Sequence, residues 1–446
     1  MTLLYFIVAI CLLVVIHEYG HFWVARRAGV QVLRFSVGFG KPLFSFKDKY
    51  GTEYSLAPIP LGGYVKMLDS REAPVADHLK HQEFNSKSPW VRIAIAAAGP
   101  IANFLFAILA YWALAWSGTT SLIPVIGQIA DDSPAANAGF FPGDEILAIN
   151  GDDTPSWQDV NWHMLSFIGE TRSVPVLVKG EEGRQRELSV TIKDWLGDTE
   201  APDPLSGLGI TPRLPDIPLK VAEVVDGSPA QAAGMQAGDE VLAVNNTDVA
   251  DWSGWVTSIR ESAGQSITIT VLRNGQSVDL QATPKAVTLD SGEVVGQIGV
   301  MAQAPEYPAD WLRQSEPGVV RAFQIGIEKT GQLIWFTLDS LGKMITGDVS
   351  VKNLSGPITI AKVAGASASG GLEAFVSFLA LLSVSLGVLN LLPVPMLDGG
   401  HIVFYMAELI RGKPLPESVQ IAAVKIGMVL LLMLMIVAFY NDISRL

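Results

Sequence analysis

"VVIHEYGHFWVARR" (residues 14–27) places two histidines and a glutamate near the end of an apolar run that begins at Leu3, and closes the run with two arginines. Ionisable groups at membrane depth are costly and usually functional, so the stretch needs a chemical reason. On a helix, residues four apart share a face, so His17 and His21 present their imidazoles to one point with Glu18 beside them. Two neutral ring nitrogens plus one carboxylate leave a fourth tetrahedral position for water, the arrangement of a catalytic zinc centre. A metal there would acidify that water and polarise a peptide carbonyl, with Glu18 moving the proton. Chance supplies His-Glu-x-x-His only ~0.004 times in a chain of this composition. Histidines packed between helices would leave Glu18 unexplained. Arg26 and Arg27 snorkel at the cytoplasmic boundary.

The rest of the chain agrees with a bilayer setting. Its 446 residues are 49% hydrophobic and only 17% charged, with mean hydropathy +0.34. That composition describes a membrane protein with substantial soluble parts. A net charge of −13 excludes nucleic acid as a partner, because phosphate binding needs a basic surface. Cys11 is the single cysteine, which rules out an intrachain disulfide and a thiolate zinc cage.

Four stretches are long enough to span about 30 Å of hydrocarbon: residues 1–25, 93–116, 373–402 and 419–441. The first reads as a span and not a cleaved signal, since no small-residue cleavage site follows it. Residues 22–93 carry 11 Lys/Arg against 6 Asp/Glu, and residues 117–372 carry 16 against 32. Basic loops stay in the cytoplasm, so residues 26–92 and 403–418 are expected inside and the long acidic segment outside. The first and third spans then run in the same direction.

The outside segment repeats itself. "DSPAANAGFFPGDEILAING" (residues 132–151) and "GSPAQAAGMQAGDEVLAVNN" (residues 227–246) align without a gap at an offset of 95. Such self-similarity means two copies of one domain, expected at 121–213 and 214–303. In each, Ser-Pro-Ala starts a short helix, Gly139 or Gly234 ends it, and a Gly-Asp turn feeds an alternating strand. Residues 308–371 hold a helix interrupted by Glu328, Lys329, Asp339 and Lys343 at helical spacing, expected on the outer membrane surface.

A third ligand is available at "LNLLPVPMLDGGH" (residues 389–401). Pro393 and Pro395 break the third span just before Asp398, and broken backbone at this depth must be buried or line a wet cavity. Asp398 can reach the depth of His17 if the chain turns back; His401 is a rival ligand. Asn390 could hydrogen-bond a substrate backbone or a developing oxyanion, or else a neighbouring helix. "AGPIANFLF" (residues 98–106) offers small residues and Asn103 for close helix contact beside the metal. His78 and His81 lie in a charged, solvated loop.

Taken together, "HEYGH", "NLLPVPMLDGG" and the tandem repeat resemble the site-2 proteases, zinc peptidases that cut substrates within the membrane. The repeats are similar to circularly permuted PDZ domains, whose grooves, near residues 207–210 and 296–300, pair a peptide tail with a sheet edge or merely screen by size. The resemblance covers nearly the whole chain. It implies a polytopic α-helical membrane protein with four transmembrane helices, a cytoplasmic and membrane-dipping β-hairpin region, and two PDZ domains (α+β) in the periplasm. It implies one Zn2+ held by His17, His21 and Asp398, Glu18 as catalytic base, and Asn390 and Pro393 positioning substrate. It further implies that the hairpin region, with Gly38, Phe39 and Gly40 nearby, adds an edge to an unwound substrate strand. The implied substrate is a single-pass membrane protein such as an anti-sigma factor, trimmed outside first, and also remnant signal peptides; the implied site is the bacterial inner membrane. The alternative expectation is a PDZ-bearing membrane adaptor without hydrolytic activity.

Overall fold

The computed structural model describes residues 2–71, 73–199, 202–289 and 292–445. Among them, four helices are long and apolar enough to cross a membrane: Thr2–Arg27, Pro89–Trp116, Leu372–Leu391 and Glu417–Ser444. We call these the first to fourth spans. The second is the most buried and stands at the centre. Its small residues allow this: Ala107 and Ala110 pack with Ala380 and Val384 of the third span.

The first and third spans run side by side in the same direction. Tyr5 meets Phe375 edge-on with ring centroids 5.9 Å apart. Further along, Ala9 packs with Phe378 and Leu379, and beyond that His17 meets Asp398.

The end of the third span departs from expectation. Neither a span reaching residue 402 nor a loop over 403–418 is observed; the third span stops at Leu391 and a separate helix runs from Asp398 to Arg411. Pro393 and Pro395 supply no N–H to continue the ladder, and Met396 takes a left-handed φ of 97° that reverses the chain. Asp398 opens the new helix, where a carboxylate suits the positive end of the dipole. Gly399 is required here, since a Cβ would collide with the carbonyls of Leu391 and Leu392.

After the first span, four strands form one sheet: β1 (Val32–Phe39), β2 (Phe44–Lys47), β3 (Glu53–Leu56) and β4 (Ile59–Met67), in the order β2-β3-β1-β4. β1 pairs antiparallel with β4, Phe35 opposite Val65, and Phe35 buries itself with Phe22, Ala25 and Ile95 of the first two spans. That contact seats β4, an edge strand, beside the membrane bundle.

The repeated segment forms two domains of the same topology. One sheet orders its strands Asp152–Asp153, Glu145–Ile149, Arg172–Lys179, Gln185–Ile192; the other orders Thr247–Asp248, Glu240–Val244, Ile267–Arg273, Gln276–Ala282. The Ser-Pro-Ala helices are capped alike, Ser133 Oγ accepting from the Ala136 N–H and Ser228 Oγ from the Gln231 N–H. The strands Ile210–Pro212 and Val300–Ala302 close their respective domains by pairing with Ile126–Ile129 and Val221–Val224.

Residues 308–371 hold more than one helix and a linker. Leu312–Ser315 pairs with Thr119–Leu122, joining the start of this region to the end of the second span. The helix Val319–Thr346 then braces the first repeated domain against the bundle: Leu333 is buried among Ala107, Ala110 and Val384, while Lys343 Nζ donates to Glu170 and to the Ser166 carbonyl. A further helix, Pro357–Ser369, packs Ala364 on Ala9.

Candidate active site

The donor atoms of His17, His21 and Asp398 lie within 4.8 Å of one another. His17 Nε2 is 3.1 Å from Asp398 Oδ2 and His21 Nε2 is 3.4 Å from it. The two Nε2 atoms are 3.1 Å apart. Tetrahedral zinc with ligand bonds near 2.0–2.1 Å sets its ligands about 3.3 Å apart, so this triangle has the edge length of a zinc-binding face. Asp398 Oδ2 is buried and makes no properly directed hydrogen bond, although both imidazoles are close. A buried carboxylate oxygen left in that state is what a cation would satisfy, and the donor set fits zinc.

Neighbouring groups set the ring tautomers. His21 Nδ1 lies 2.7 Å from the carbonyl oxygen of Ile95, which can only accept, so Nδ1 carries the proton and Nε2 keeps its lone pair. The Asn103 amide touches His17 Nδ1 at 3.4 Å, and Asn103 Oδ1 has no other partner. Turned so that Oδ1 accepts the Nδ1 proton, the amide satisfies both groups and frees His17 Nε2 in the same way. Ser383 Oγ of the third span donates to the Asn103 carbonyl, which holds this turn of the second span in place. Gly99 leaves room for the rings, since a Cβ there would collide with both imidazoles.

Glu18 is half-buried, accepts a hydrogen bond from the Val65 N–H of β4, and faces the same cavity as the three donors. This cavity, about 530 Å³, is walled on one side by Gly63–Met67 of β4 and on another by Asn390, Met396 and Leu397. β4 thus offers a sheet edge in the same cavity as the convergent donors.

Other expected site residues stand at varying distance from this centre. His401 lines the cavity but is not among the converging donors; it stacks on Tyr405. Asn390 lines the cavity, whereas the exposed Pro393 does not. Gly38, Phe39 and Gly40 also lie outside it; Phe39 stacks on Tyr64, which is part of its wall. His78 and His81 belong to an exposed turn of helix over Asp77–Gln82 and join no metal-type cluster among the described residues. Of the partners of the histidines, Ile95 has no signal in the sequence, and Asn103 is expected there as a packing residue beside the metal and not as a partner of His17. The sole hint was a polar residue within "AGPIANFLF".

Comparison with known proteins agrees with this geometry. Regulator of sigma-E protease RseP of Escherichia coli (strain K12) is 43% identical over 441 residues, covering 99% of this chain and 98% of that protein. Its counterpart in Salmonella typhimurium is 44% identical over 442 residues with the same coverage. Protease RseP of Yersinia pestis is 44% identical over 443 residues, again 99% and 98%. A solved PDZ domain of an SdrC-like protein from Listeria innocua matches 20% of this chain and 97% of its own at 16% identity, with a TM-score of 0.18, too slight to bear on the fold. Residues 5–434 match the description "Peptidase family M50". The expected enzyme class, a zinc metalloprotease in a membrane, holds, and the non-enzymatic adaptor is set aside. From the convergence of His17, His21 and Asp398 to the match along nearly its whole length, the chain belongs to peptidase family M50.

Proposed function

We propose that this protein hydrolyses peptide bonds within single-pass transmembrane segments, with one zinc ion held by His17, His21 and Asp398 and with Glu18 as general base. The observation that carries this reading is the zinc-sized triangle of donors from two spans that run in parallel. Zinc held there supplies Lewis acidity toward a peptide carbonyl and toward water. Glu18 removes a proton from the attacking water as its oxygen bonds to the carbonyl carbon. It returns that proton to the departing nitrogen as the C–N bond breaks, leaving a carboxylate and an amine.

A helical substrate hides its carbonyls, so cleavage requires local unwinding. The open edge of β4 supports a second part of the proposal: Gly63–Met67 pair with the unwound segment as an added strand and hold its scissile bond over the metal. Asn390 donates to the substrate carbonyl from the opposite wall. Pro393 shapes the turn that carries Asp398, and the Gly38-Phe39-Gly40 stretch buttresses the cavity-lining part of β4 through the stack of Phe39 on Tyr64.

The charge asymmetry of the loops supports an active site toward the cytoplasm and repeated domains, taken as circularly permuted PDZ folds, in the periplasm of a bacterial inner membrane. There they screen substrates already trimmed outside, or bind peptide tails. The relatives' name, regulator of sigma-E protease, supports an anti-sigma factor as substrate; remnant signal peptides satisfy the same chemistry.

Metal analysis and cleavage of a transmembrane reporter test this together. Wild type is expected to hold one zinc per chain and to cleave. Glu18→Gln should keep the zinc and lose activity by about 10²–10⁴-fold, and His17→Ala should lose both. Cleavage undiminished in Glu18→Gln would refute the assignment.

A further inference from the structure

A second cavity, about 790 Å³, lies where the first span ends. It shares no lining residue with the active-site cavity and is independent of the protease reading. Its walls carry Trp23, Arg26, Arg27, Tyr50, His81 and Lys87, and among the described residues no carboxylate lines it. Arg26 is neutralised by Asp48, 3.0 Å away. Arg27 and Lys87 have no carboxylate partner among the described residues: Arg27 lies over the Trp23 ring at 5.2 Å, and Lys87 Nζ donates only to the His81 carbonyl at 2.8 Å. A Cβ on Gly29 would stand 3.6 Å from Lys87 Nζ, so the ammonium hangs over the turn that follows the span.

The position identifies the ligand. Trp23 is 49% exposed and Tyr50 64% exposed, at the point where an apolar helix gives way to a basic segment. Aromatic rings of this kind sit at the level of lipid headgroups, and unpaired cations beside them attract anionic lipid. A soluble anion would gain nothing from the exposed rings. A diester phosphate with acyl chains running up the first span satisfies the rings and the cations together.

We infer that this cavity is a binding site for the headgroup of an anionic phospholipid, held by Arg27 and Lys87 with Trp23 and Tyr50 against the glycerol and upper acyl region.

The test is a lipid titration of the purified full chain, read by melting temperature and by lipid retained in native mass spectrometry. Phosphatidylglycerol is compared with phosphatidylcholine and with inorganic phosphate. Phosphatidylglycerol should raise the melting temperature of wild type. Its apparent affinity should fall about twenty-five-fold in Arg27→Gln/Lys87→Gln, taking each near-surface cation as worth about a factor of five. Arg27→Lys, which keeps the charge, should stay within about threefold of wild type on the same reasoning. Should the double variant fail to fold, Lys87→Gln alone carries the test with an expected loss of about fivefold. Equal response to phosphatidylcholine, an equal shift with inorganic phosphate alone, or unchanged phosphatidylglycerol affinity in the folded variants would each overturn the inference.

Discussion

Arg92, in the first turn of the second span, forms a 2.5 Å ion pair with Glu408, in the helix that begins at Asp398. Both side chains are largely buried, at 9% and 13% exposure, and the Arg92 guanidinium also lies over Tyr405 at 4.8 Å. The pair ties the Asp398-bearing helix to the span that carries Ile95 and Asn103. Removing one partner of a buried pair leaves an uncompensated charge, costing about 3–5 kcal/mol. Arg92→Met is therefore expected to lower the melting temperature and to loosen Asp398, the proposed third ligand. Zinc loss to a chelator should accelerate in proportion, and an unchanged loss rate would show that Asp398 is positioned by other contacts.

Asn103 should matter through His17 alone. Asn103→Leu removes the amide that lies against His17 Nδ1 and can take its proton, and loss of such outer partners costs about 10–100-fold in metal affinity. Asn103→Asp keeps an acceptor and should retain most of it. Chelator competition on the two variants distinguishes tautomer control from simple packing, which would penalise both substitutions.

Asp442, near the end of the fourth span, accepts hydrogen bonds from the N–H groups of Gly356, Ile358 and Thr359 and from Thr359 Oγ1. It caps the helix Pro357–Ser369 from a distant part of the chain, satisfying donors that the helix cannot pair itself. Asp442→Ala strands these donors, of which the Gly356 N–H is buried and the others partly so, and should destabilise the fold by about 2 kcal/mol. Asp442→Asn should recover part of that. A denaturation midpoint unchanged in Asp442→Ala would contradict this role.

The two repeated domains share an ion pair that predicts a pH response. Arg186 binds Asp144 and the Gly139 carbonyl, and Arg273 binds Asp239 and the Gly234 carbonyl. Burial pushes the Asp239 carboxyl upward, and the Arg273 guanidinium together with the Gln236 N–H outweighs it, so the group titrates below its ordinary range. A depressed carboxylate contributes stability that is fully present above its unfolded pKa, about 3.9, and is lost as pH falls through the folded value. The stability advantage of wild type over Arg273→Met should thus be constant from neutral pH down to about 5 and shrink below about 4. Melting curves at stepped pH check this; an advantage that grows on acidification would reverse the sign and sink the assignment.

Much of this protein is written locally in its sequence. Hydropathy over some twenty residues sets a span, i to i+4 spacing puts His17 and His21 on one face, and a 95-residue echo gives two domains. Each of these depends on residues close together in the chain, or on self-likeness, and needs no knowledge of packing. Asp398 was legible as a candidate because two prolines and two glycines mark the break around it, and the ligand pattern already favoured it over His401; the packing of parallel spans is what brings its carboxylate, and not the His401 ring, to the two imidazoles. The Ile95 carbonyl, the Asn103 amide, the Arg92–Glu408 tie and the Asp442 cap were illegible for a common reason. Each is a hydrogen bond or ion pair between segments far apart in sequence, whose partner is chosen by which helix faces meet. The same holds for β4, whose edge faces Glu18 because Phe35 is buried against the first two spans, an orientation no strand pattern specifies.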